Sequence, residues 1–466
     1  MTSDGRRFPG LVAASAIAVY LLLLVGGTTA LTDAATQCAA WPACGDGWTV
    51  PGTTLGWLAL GHRIAAALVG VLVVASAVVA WRERRSRRVR AAVTAAALLY
   101  PVQAGLGALV ATDGVTAGAL SLAHLGLGMT LFGGLVAALG WTLEAETGDP
   151  DERPTGRPDL APPPADAGER PSLPDDPIDR AKATAFAYFR LMKPRLMWLL
   201  CLVAAAAMTL AGGTGLGVGT ILATLGGGVL AIGASGTLNH VLERDIDRRM
   251  QRTSDRPLAT DLVPVRNALA FAALLTLGSV ALFASVNWLA AVLGLVAIAF
   301  YSVVYTLVLK PNTVQNTVIG GAAGALPALI GWVAATGEVG LGGLVLAAVI
   351  FLWTPAHFYN LALAYRDDYE RGGFPMLPVV RGETVTRKHI LWYLGATLVA
   401  AGALATFDRL GALYVVTAVA LGAVFLWAVV RLHYERDEGA AFRAFHASNA
   451  YLGALLLAVV VDSLAI

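Results

Sequence analysis

The sequence predicts an all-α, polytopic membrane protein with about thirteen transmembrane helices. Apolar residues make up 57% of its 466 residues and charged residues only 14%, whereas charged residues reach about 25% in typical soluble domains. So few charges cannot cover so much apolar surface in water, and the composition therefore excludes a soluble multidomain protein. Segments close to the ~20 residues that cross a bilayer lie at about 11–30, 57–80, 91–111, 119–142, 196–212, 218–238, 267–285, 288–308, 316–335, 341–362, 390–406, 410–430 and 447–463.

The placement of arginine predicts how these helices are oriented in the membrane. Loops 81–90 and 244–266 are rich in arginine, whereas the alternate loops 31–56 and 336–340 contain neither lysine nor arginine. Because loops rich in Lys and Arg stay in the cytoplasm, we expect a cytoplasmic amino terminus in the cell membrane. An odd number of spans then places the carboxyl terminus outside.

A segment rich in proline and acidic residues divides the chain. Residues 143–180 hold nine of the 21 prolines and eleven acidic side chains. This composition buries too little apolar surface to offset the entropy lost on ordering, so it predicts a disordered linker. We expect a four-span module at 1–142, a cytoplasmic linker at 143–182 and a nine-span module at 183–466. An ordinary loop inside one domain is the alternative.

Two acidic clusters lie on the same predicted side of the nine-span module. In the first, Asn239, Glu243 and Asp247 are four residues apart, which places them on one face of a helix. The second contains Asp367 and Asp368. Carboxylates at the mouth of a membrane cavity are costly unless they hold something positive. A binding site is therefore a better interpretation than two solvated loops.

The residue types of these clusters suit magnesium and a diphosphate. Mg²⁺ binds one or two carboxylates together with phosphate oxygens and water, and it offsets the charge of a departing diphosphate. The candidate Mg²⁺ ligands are Glu243, Asp247, Asp367 and Asp368, with Asn239 in support. The candidate diphosphate-binding residues are Lys193, Arg256 and Lys310.

Several long stretches of the nine-span module carry the motifs of a known family. They read LMKPRLMWL at 191–199, NHVLERDIDRRMQRTSDRPL at 239–258, YTLVLKPNTVQNTVIGGAAGALPALIGW at 305–332 and FLWTPAHFYNLALAYRDDYERGGFPMLPVVRG at 351–382. The module resembles the intramembrane prenyltransferases, and within them the protoheme IX farnesyltransferase (heme O synthase) branch, to which the WTPAHF and PMLPVV runs point. Glu243 replaces an aspartate of the general pattern but keeps the carboxylate.

This resemblance implies that a farnesyl group is transferred from farnesyl diphosphate to a vinyl group of protoheme IX, which yields heme O. It also implies that apolar helices enclose the farnesyl chain and that His357 binds the substrate heme; a packing role for His357 is the alternative. His240 has no assigned role. Other functions left open are prenylation of an aromatic quinone precursor, and a non-catalytic heme carrier or oxidase assembly protein. No nucleic-acid partner is expected.

The four-span module contains a matched pair of histidines and a short cysteine loop. His62 and His124 lie about equally deep from the outer ends of their spans, which suits a bis-histidine heme site; packing is the alternative. Cys38 and Cys44 lie in an outer loop, where oxidising conditions favour a disulfide. Cys201 lies within a span and is expected to be a buried, small apolar residue.

The module resembles one half of heme A synthase. The similar runs are VGGTTALTDAATQCAAWPACGDGW at 25–48, GHRIAAALVG at 61–70 and QAGLGALVATDGVTAGALSLAHLGLG at 103–128. Members of that family have two such halves, and Ala59 stands where they commonly have glutamate. The resemblance therefore implies heme binding more firmly than heme oxidation. A part in heme A formation, with heme A synthase or terminal oxidase assembly factors as partners, stays open.

Overall fold

A computed structural model describes residues 7–31, 34–38, 40–44, 50–112, 117–150, 152, 156, 158–162, 171–212, 215–406 and 410–465. The described residues form helices and connecting segments without a strand, so the predicted all-α fold is confirmed. The helices are α1 (Arg7–Leu31), α2 (Thr54–Arg82), α3 (Arg87–Thr112), α4 (Ala117–Thr147), α5 (Pro177–Leu191), α6 (Pro194–Gly212), α7 (Val218–Leu242), α8 (Arg244–Asp247), α9 (Val265–Val286), α10 (Trp288–Ala299), a π-helix (Phe300–Leu309), α11 (Lys310–Asn312), α12 (Asn316–Thr336), α13 (Leu341–Ala364), α14 (Arg366–Arg371), α15 (Leu377–Arg381), α16 (Glu383–Leu404), α17 (Ala412–Glu435) and α18 (Glu438–Ala465).

Among the described residues, twelve helical stretches are long and apolar enough to cross a membrane, so the chain is a multi-pass membrane protein. The thirteenth predicted span, 390–406, lies within α16 but is not among the twelve. The predicted count was therefore one too high by this criterion. The reason is chemical, since Arg387, Lys388 and His389 lower the apolar content of the amino-terminal half of this helix.

The helices form two compact units. One unit comprises Met1–Pro150 and Arg387–Arg436, and the other comprises Asp151–Thr386 and Asp437–Ile466. The first unit thus combines α1–α4 with α17 and most of α16. Those two helices belong, in sequence, to the predicted nine-span module. The division into three consecutive segments stays a prediction.

Parts of the predicted linker, at 151, 153–155, 157 and 163–170, lie outside the described residues. At its two ends, α4 continues to Thr147 and α5 begins at Pro177. Within it, the carboxylate of Glu152 accepts hydrogen bonds from the backbone N–H groups of Glu383 and, at 3.1 Å, Thr384. This carboxylate therefore caps the beginning of α16, while disorder of the linker stays a prediction.

In the first unit, α1 packs with a regular apolar face against α2 and α4. The members of this face are four residues apart and buried: Phe8, Val12, Ala16, Tyr20 and Leu24. The ring of Tyr20 lies 5.5 Å from that of Phe132 on α4. The hydroxyls of Ser15 and Ser76 lie 3.0 Å apart between α1 and α2, which satisfies both polar groups within the bundle.

In the second unit, α7 packs on α9, while α12 packs on α6 and α13. Small residues allow close approach of these helices, as in membrane bundles generally. At Gly331 of α12, an added Cβ would collide with the carbonyl oxygen of Ala204 on α6. Large side chains such as Leu274 and Leu277, each 68% exposed, point away from the unit and suit contact with lipid.

Substitution of Gly331 with alanine tests this close packing. Because the clash is with backbone atoms, α6 and α12 must separate, and we expect Gly331→Ala to lower the free energy of unfolding by about 1–3 kcal/mol. Thermal unfolding of the purified protein in detergent measures the effect. The control is Gly219→Ala, where the added Cβ meets no atom within 4 Å. Equal melting temperatures for the two variants would contradict the packing.

Candidate active site

The first acidic cluster lies where α7 ends. We predicted a continuous helix through Asn239, Glu243 and Asp247, and this was wrong in detail. The helix ends at Leu242, and α8 begins after Glu243, whose φ and ψ are −97° and 5°. At this break, the Glu243 carboxylate pairs with Lys310. Hydrogen bonds continue across it, from Glu243 N to Asn239 O at 2.9 Å and from Asp247 N to Glu243 O at 2.7 Å. The three side chains stay together and buried.

Each buried carboxylate of this cluster pairs with a cation from another part of the chain. Lys310 Nζ lies 2.6 Å from Glu243 Oε1. Arg256 Nη1 lies 2.8 and 2.9 Å from the two carboxylate oxygens of Asp247. Breaking a buried pair leaves an uncompensated charge and costs several kcal/mol. The pairs therefore fix the loop after α8 and the end of the π-helix against α7.

The two carboxylates differ in their affinity for a proton. Burial raises the pKa of Asp247 above its ordinary value, although Arg256 opposes the change. Burial acts in the same direction on Glu243, but the charges of Lys310 and Lys193 outweigh it, so the pKa of Glu243 is lowered. Glu243 is thus the more firmly ionised member of the pair.

Lys193 is the third cation of the site, and neutral oxygens bind it. Its Nζ donates hydrogen bonds to Asn239 Oδ1 and, at 3.2 Å, to the hydroxyl of Tyr301. Asn239 Nδ2 in turn donates to Thr306 Oγ1 at 3.1 Å. Burial, together with the positive charge of Arg256, lowers the pKa of Lys193 to about 8. Lys193, Arg256 and Lys310 thus outnumber the two carboxylates of this cluster by one charge.

The π-helix supplies residues that the sequence analysis missed. Tyr301, Tyr305 and Thr306 all lie within it, with the two tyrosine rings 5.5 Å apart. Thr306 Oγ1 donates to the carbonyl oxygen of Tyr301 at 2.9 Å. Such π-helical turns are rare in proteins, but those that occur often lie at functional sites. The only signal in the sequence was a group of polar and aromatic residues shortly before Lys310.

Lys193 lines a largely apolar cavity whose empty volume, together with the part open to solvent, is about 1240 Å³. Tyr301 and Tyr305 line it near this charge, and Gly228, Phe283 and Ile330 line it elsewhere. The arrangement combines a polar end with an apolar chamber.

Cys201 also lines this cavity and is half-buried. The expectation of a buried packing residue at this position was therefore wrong. Its side chain points toward open space between the helices, a direction that the sequence of a span does not reveal.

The second acidic cluster has a different arrangement. Asp368 is buried, and its two oxygens accept hydrogen bonds from the backbone N–H groups of Gln251, at 2.7 Å, and Arg252, at 3.2 Å. Arg371 adds a third bond at 2.9 Å. The neighbouring Asp367 is exposed. Asp368 thus holds the loop after α8 in place.

Oxygen donors suitable for Mg²⁺ are present in the first cluster. Asn239, Glu243 and Asp247 offer an amide and two carboxylates, which fits an ion that takes one or two carboxylates plus phosphate oxygens. Across the described ranges, no group of three or more His, Cys, Asp and Glu side chains converges on a possible metal position. Asp368 is instead bonded to backbone N–H groups of the loop that follows Asp247.

His357 lies on α13 outside the set of residues that line the cavity. Its ring is stacked between Trp353, at 4.2 Å, and Phe445, at 4.4 Å. Its Nδ1 is hydrogen-bonded to Ser448 Oγ at 2.7 Å. The ring is held firmly on both faces and at one nitrogen. His240 is buried beside Asn239, and its Nδ1 has no hydrogen-bond partner in the described part of the chain.

In the first unit, His62 and His124 are each packed against a glycine of a neighbouring helix. An added Cβ at Gly26 would lie 3.3 Å from the His62 ring, and one at Gly107 would lie 3.0 Å from the His124 ring. The Nδ1 atoms of both rings are buried without a hydrogen-bond partner among the described residues. Gln103 Nε2, which we had not predicted, lies 3.5 Å from His124 Nε2.

The cysteine loop is held by Arg63, which the sequence analysis also missed. Its guanidinium donates hydrogen bonds of 2.7 Å to the carbonyl oxygens of Cys38, Ala40 and Ala43. The structure pairs Cys38 with Cys44, and their Cα atoms are 4.1 Å apart. Because Arg63 follows His62 directly, the loop is attached to the helix that carries this histidine.

Residues 199–453 match the sequence model of the UbiA prenyltransferase family, and residues 52–162 match that of a cytochrome oxidase assembly protein. Since the first match covers more than half of the chain, the chain belongs to the UbiA prenyltransferase family. A protoheme IX farnesyltransferase of Haloquadratum walsbyi is 64% identical over 99% of this chain and 98% of that protein. One of Haloarcula marismortui is 66% identical over 100% of both.

Solved structures show a related fold. A structure of digeranylgeranylglyceryl phosphate synthase aligns with a TM-score of 0.52 and 15% identity, over 61% of this chain and 100% of that chain. At this identity the likeness concerns the fold alone.

Replacing Lys310 with methionine tests the charge pairing. In the wild type, Glu243 stabilises the fold above its ordinary pKa of 4.5, and this contribution is lost as the pH falls through its lowered pKa. Without Lys310, the pKa of Glu243 rises, because only Lys193 and Arg256 then oppose the effect of burial. We expect Lys310→Met to cost about 3–5 kcal/mol at neutral pH and to be less destabilised, relative to the wild type, at about pH 5 than at about pH 8.

Lys182→Met is the matched control, because the pair of Lys182 with Asp179 is exposed and such pairs contribute at most about 1 kcal/mol. Adding Glu243→Gln to Lys310→Met removes the titrating group and should abolish the altered pH dependence. If the melting temperature of Lys310→Met changed with pH in parallel with that of the wild type, the pKa of Glu243 would not depend on Lys310.

Proposed function

We propose that the chain transfers a farnesyl group from farnesyl diphosphate to a vinyl group of protoheme IX and so forms heme O. The observation that carries the proposal is the group of two buried carboxylates and three partly buried cations at the polar end of an apolar cavity. Identities of 64% and 66% to protoheme IX farnesyltransferases over nearly all of both chains support the choice of substrates.

Binding of the diphosphate follows from the charges. Lys193, Arg256 and Lys310 would donate hydrogen bonds to its oxygens, with Lys193 the readiest because no carboxylate bonds to it in the described structure. Glu243 and Asp247, supported by Asn239, would hold Mg²⁺. The ion would supply positive charge that offsets the negative charge of the departing diphosphate.

Asp367 and Asp368 would complete the metal site only after a rearrangement. Asp368 accepts two backbone hydrogen bonds from residues 251 and 252, and these bonds compete with a metal ion. Release of this loop on substrate binding would free Oδ2 and leave Oδ1 bonded to Arg371 alone.

The chemical step is an ionisation followed by carbon–carbon bond formation. The bond between farnesyl C1 and the diphosphate oxygen breaks, and the diphosphate leaves with the electron pair. The vinyl π electrons of the porphyrin attack C1, which forms the new bond and leaves a cation beside the pyrrole ring. Water adds to that cation and loses a proton, giving the hydroxyethylfarnesyl group. The apolar cavity keeps water away from C1 until the vinyl group has attacked.

His357 would bind the substrate heme. Trp353 and Phe445 cover the two faces of its ring, and Ser448 bonds Nδ1. This arrangement fixes the ring and leaves Nε2 for contact with the heme. The lipid bilayer surrounds both substrates.

The arginine-rich turns give the orientation that we propose. The turn between α2 and α3 and the segment after α8 carry the positive charges, which favours the cytoplasmic side. The prenyl-transfer site would then open toward the cytoplasm. We also propose a cytoplasmic amino terminus and an external carboxyl terminus, the latter only if α16 crosses the membrane as a thirteenth span.

A second function is supported in the first unit. We propose that His62 and His124 ligate a heme, because both are half-buried within one helical bundle with glycines beside their rings. The match of residues 52–162 to a cytochrome oxidase assembly protein supports this role. Participation in heme A formation is its further extension, and heme O as the sole product would exclude it.

Asp247→Asn tests the proposed transfer. It removes the carboxylate charge but keeps the size, so we expect a loss of heme O formation of about a hundredfold or more. Thermal unfolding measured in parallel separates this loss from the stability lost with the Asp247–Arg256 pair. Incubation of membranes with farnesyl diphosphate, Mg²⁺ and protoheme IX, followed by extraction and identification of the heme, gives the rate.

Asp245→Asn is the control, since the side chain of Asp245 is 72% exposed two residues away. Full activity of Asp247→Asn would contradict the assignment of Asp247 as a ligand of Mg²⁺. Transfer to an aromatic quinone precursor in place of protoheme would favour the alternative acceptor. Heme binding without any transfer would favour a carrier.

For the first unit, His62→Ala and His124→Ala should each abolish the visible absorption bands of a bis-histidine heme in the purified full chain. His446→Ala, which removes an exposed histidine of α18, should leave those bands unchanged. Unaltered spectra in both histidine variants would refute this pair of ligands.

A further inference from the structure

We infer that Gln103 competes with heme iron for His124, so that the first unit binds heme reversibly. The inference rests on the proposed function of His62 and His124 as heme ligands. The two histidines lie at a similar depth, His62 eight residues after the start of α2 and His124 seven residues after the start of α4. The surroundings of their Nε2 atoms differ, and this difference carries the inference.

His62 has a nitrogen that is ready to bind iron. Its Nδ1 is buried without a partner among the described residues, so Nε2 is the nitrogen that iron can reach. No described group is hydrogen-bonded to this Nε2. Gly26 of α1 leaves room beside the ring, because an added Cβ there would lie 3.3 Å from Cε1. His62 can therefore take iron without first breaking a hydrogen bond.

His124 differs, because Gln103 of α3 occupies its Nε2. The amide Nε2 of Gln103 lies 3.5 Å from His124 Nε2 and forms a long hydrogen bond with it. An imidazole nitrogen that accepts such a bond has committed the lone pair that iron needs. If the amide oxygen faced the ring instead, Nε2 would carry a proton and would be blocked equally. His124 Nδ1 is buried without a partner in the described part of the chain, so it offers iron no alternative.

Two glycines bring Gln103 to this position. Gly128 follows His124 by one turn on α4, and an added Cβ there would lie 3.0 Å from Gln103 Nε2. Gly107 follows Gln103 by one turn on α3, and an added Cβ there would lie 3.0 Å from the His124 ring. Residues one turn apart lie on the same face of a helix. The facing surfaces of α3 and α4 therefore hold the amide against the imidazole.

The contact is weak enough to be exchanged for an iron–nitrogen bond. A hydrogen bond of 3.5 Å is longer than the usual range. Gln103 Oε1 is buried and has no partner among the described residues, so nothing else there fixes the amide. Heme iron can displace the amide from Nε2, and the amide can return when heme leaves. A site of this kind suits a heme that is passed on more than one that is kept.

Removal of the amide tests the competition. The heme-free full-length protein is titrated in detergent with protoheme IX, and the absorption bands of the bis-histidine heme report binding. Gln103→Ala should bind heme about two- to tenfold more tightly than the wild type, since no hydrogen bond has to be broken first. Protoporphyrin IX, which lacks iron, should bind the variant and the wild type equally. A loss of packing alone would instead weaken the binding of both porphyrins.

Tyr100→Phe is the matched control on the same helix. It removes a hydroxyl that donates a hydrogen bond of 2.6 Å to Ala66 O and so joins α3 to α2, and it should leave the heme affinity unchanged. If Gln103→Ala does not fold, Gln103→Leu replaces it, since leucine keeps most of the side-chain volume without a hydrogen-bonding group. The same gain in heme affinity is then expected.

Two results would overturn the inference. One is heme binding by the folded Gln103 variant that is equal to or weaker than that of the wild type. The other is an equal gain in affinity for protoporphyrin IX, which would show that the amide acts on the porphyrin and not on the iron ligand. Heme bands that persist in both His62→Ala and His124→Ala would refute the proposed ligands themselves, so failure of the proposed function is recognised separately.

Discussion

The pairing of buried charges at the end of α7 determines the arrangement of much of the second unit. Glu243 and Asp247 are each at most 4% exposed, and leaving either unpaired at a membrane surface would cost several kcal/mol. Lys310, the partner of Glu243, follows the π-helix 67 residues further along the chain, and Arg256, the partner of Asp247, lies in the loop after α8. The chain must therefore bring these segments together, and the cavity forms between the helices that they connect.

The balance of these charges favours an anionic ligand. Two carboxylates meet three cations, and the third, Lys193, is bound only by an amide and a phenol in the described structure. Burial is the main cause of the lowered pKa of Lys193, and the positive charge of Arg256 adds to it. A diphosphate, with or without a metal ion, would remove the excess. In a cluster that served stability alone, we would expect each cation to be paired with a carboxylate.

The sequence predicted the helical membrane fold and the members of the first cluster, because lipid imposes a simple rule on composition and charges in spans stand out. It did not predict the pairing within the cluster. Lys310 and Arg256 were expected to bind diphosphate, and they bind carboxylates in the described structure. The hydrogen bonds of Asp368 to the loop after α8 could not be predicted for another reason. The donors are backbone N–H groups, which every residue except proline carries, so residue types do not identify them. The placement of α17 with α1–α4 depends on tertiary packing that periodicity does not show.

Recognition at the two ends of the cavity must follow different physical rules. Every prenyl diphosphate presents the same anion, so the charges around Lys193 give affinity but cannot distinguish one chain length from another. Discrimination has to arise where the ligands differ, at the apolar end, and there only shape and rigidity can supply it. The walls provide both, because α6 and α12, which contribute Ala204 and Ile330 to the cavity, are in close backbone contact at Gly331. The charged end can therefore resemble that of any related enzyme, while the shape of the apolar walls decides which prenyl chain fits.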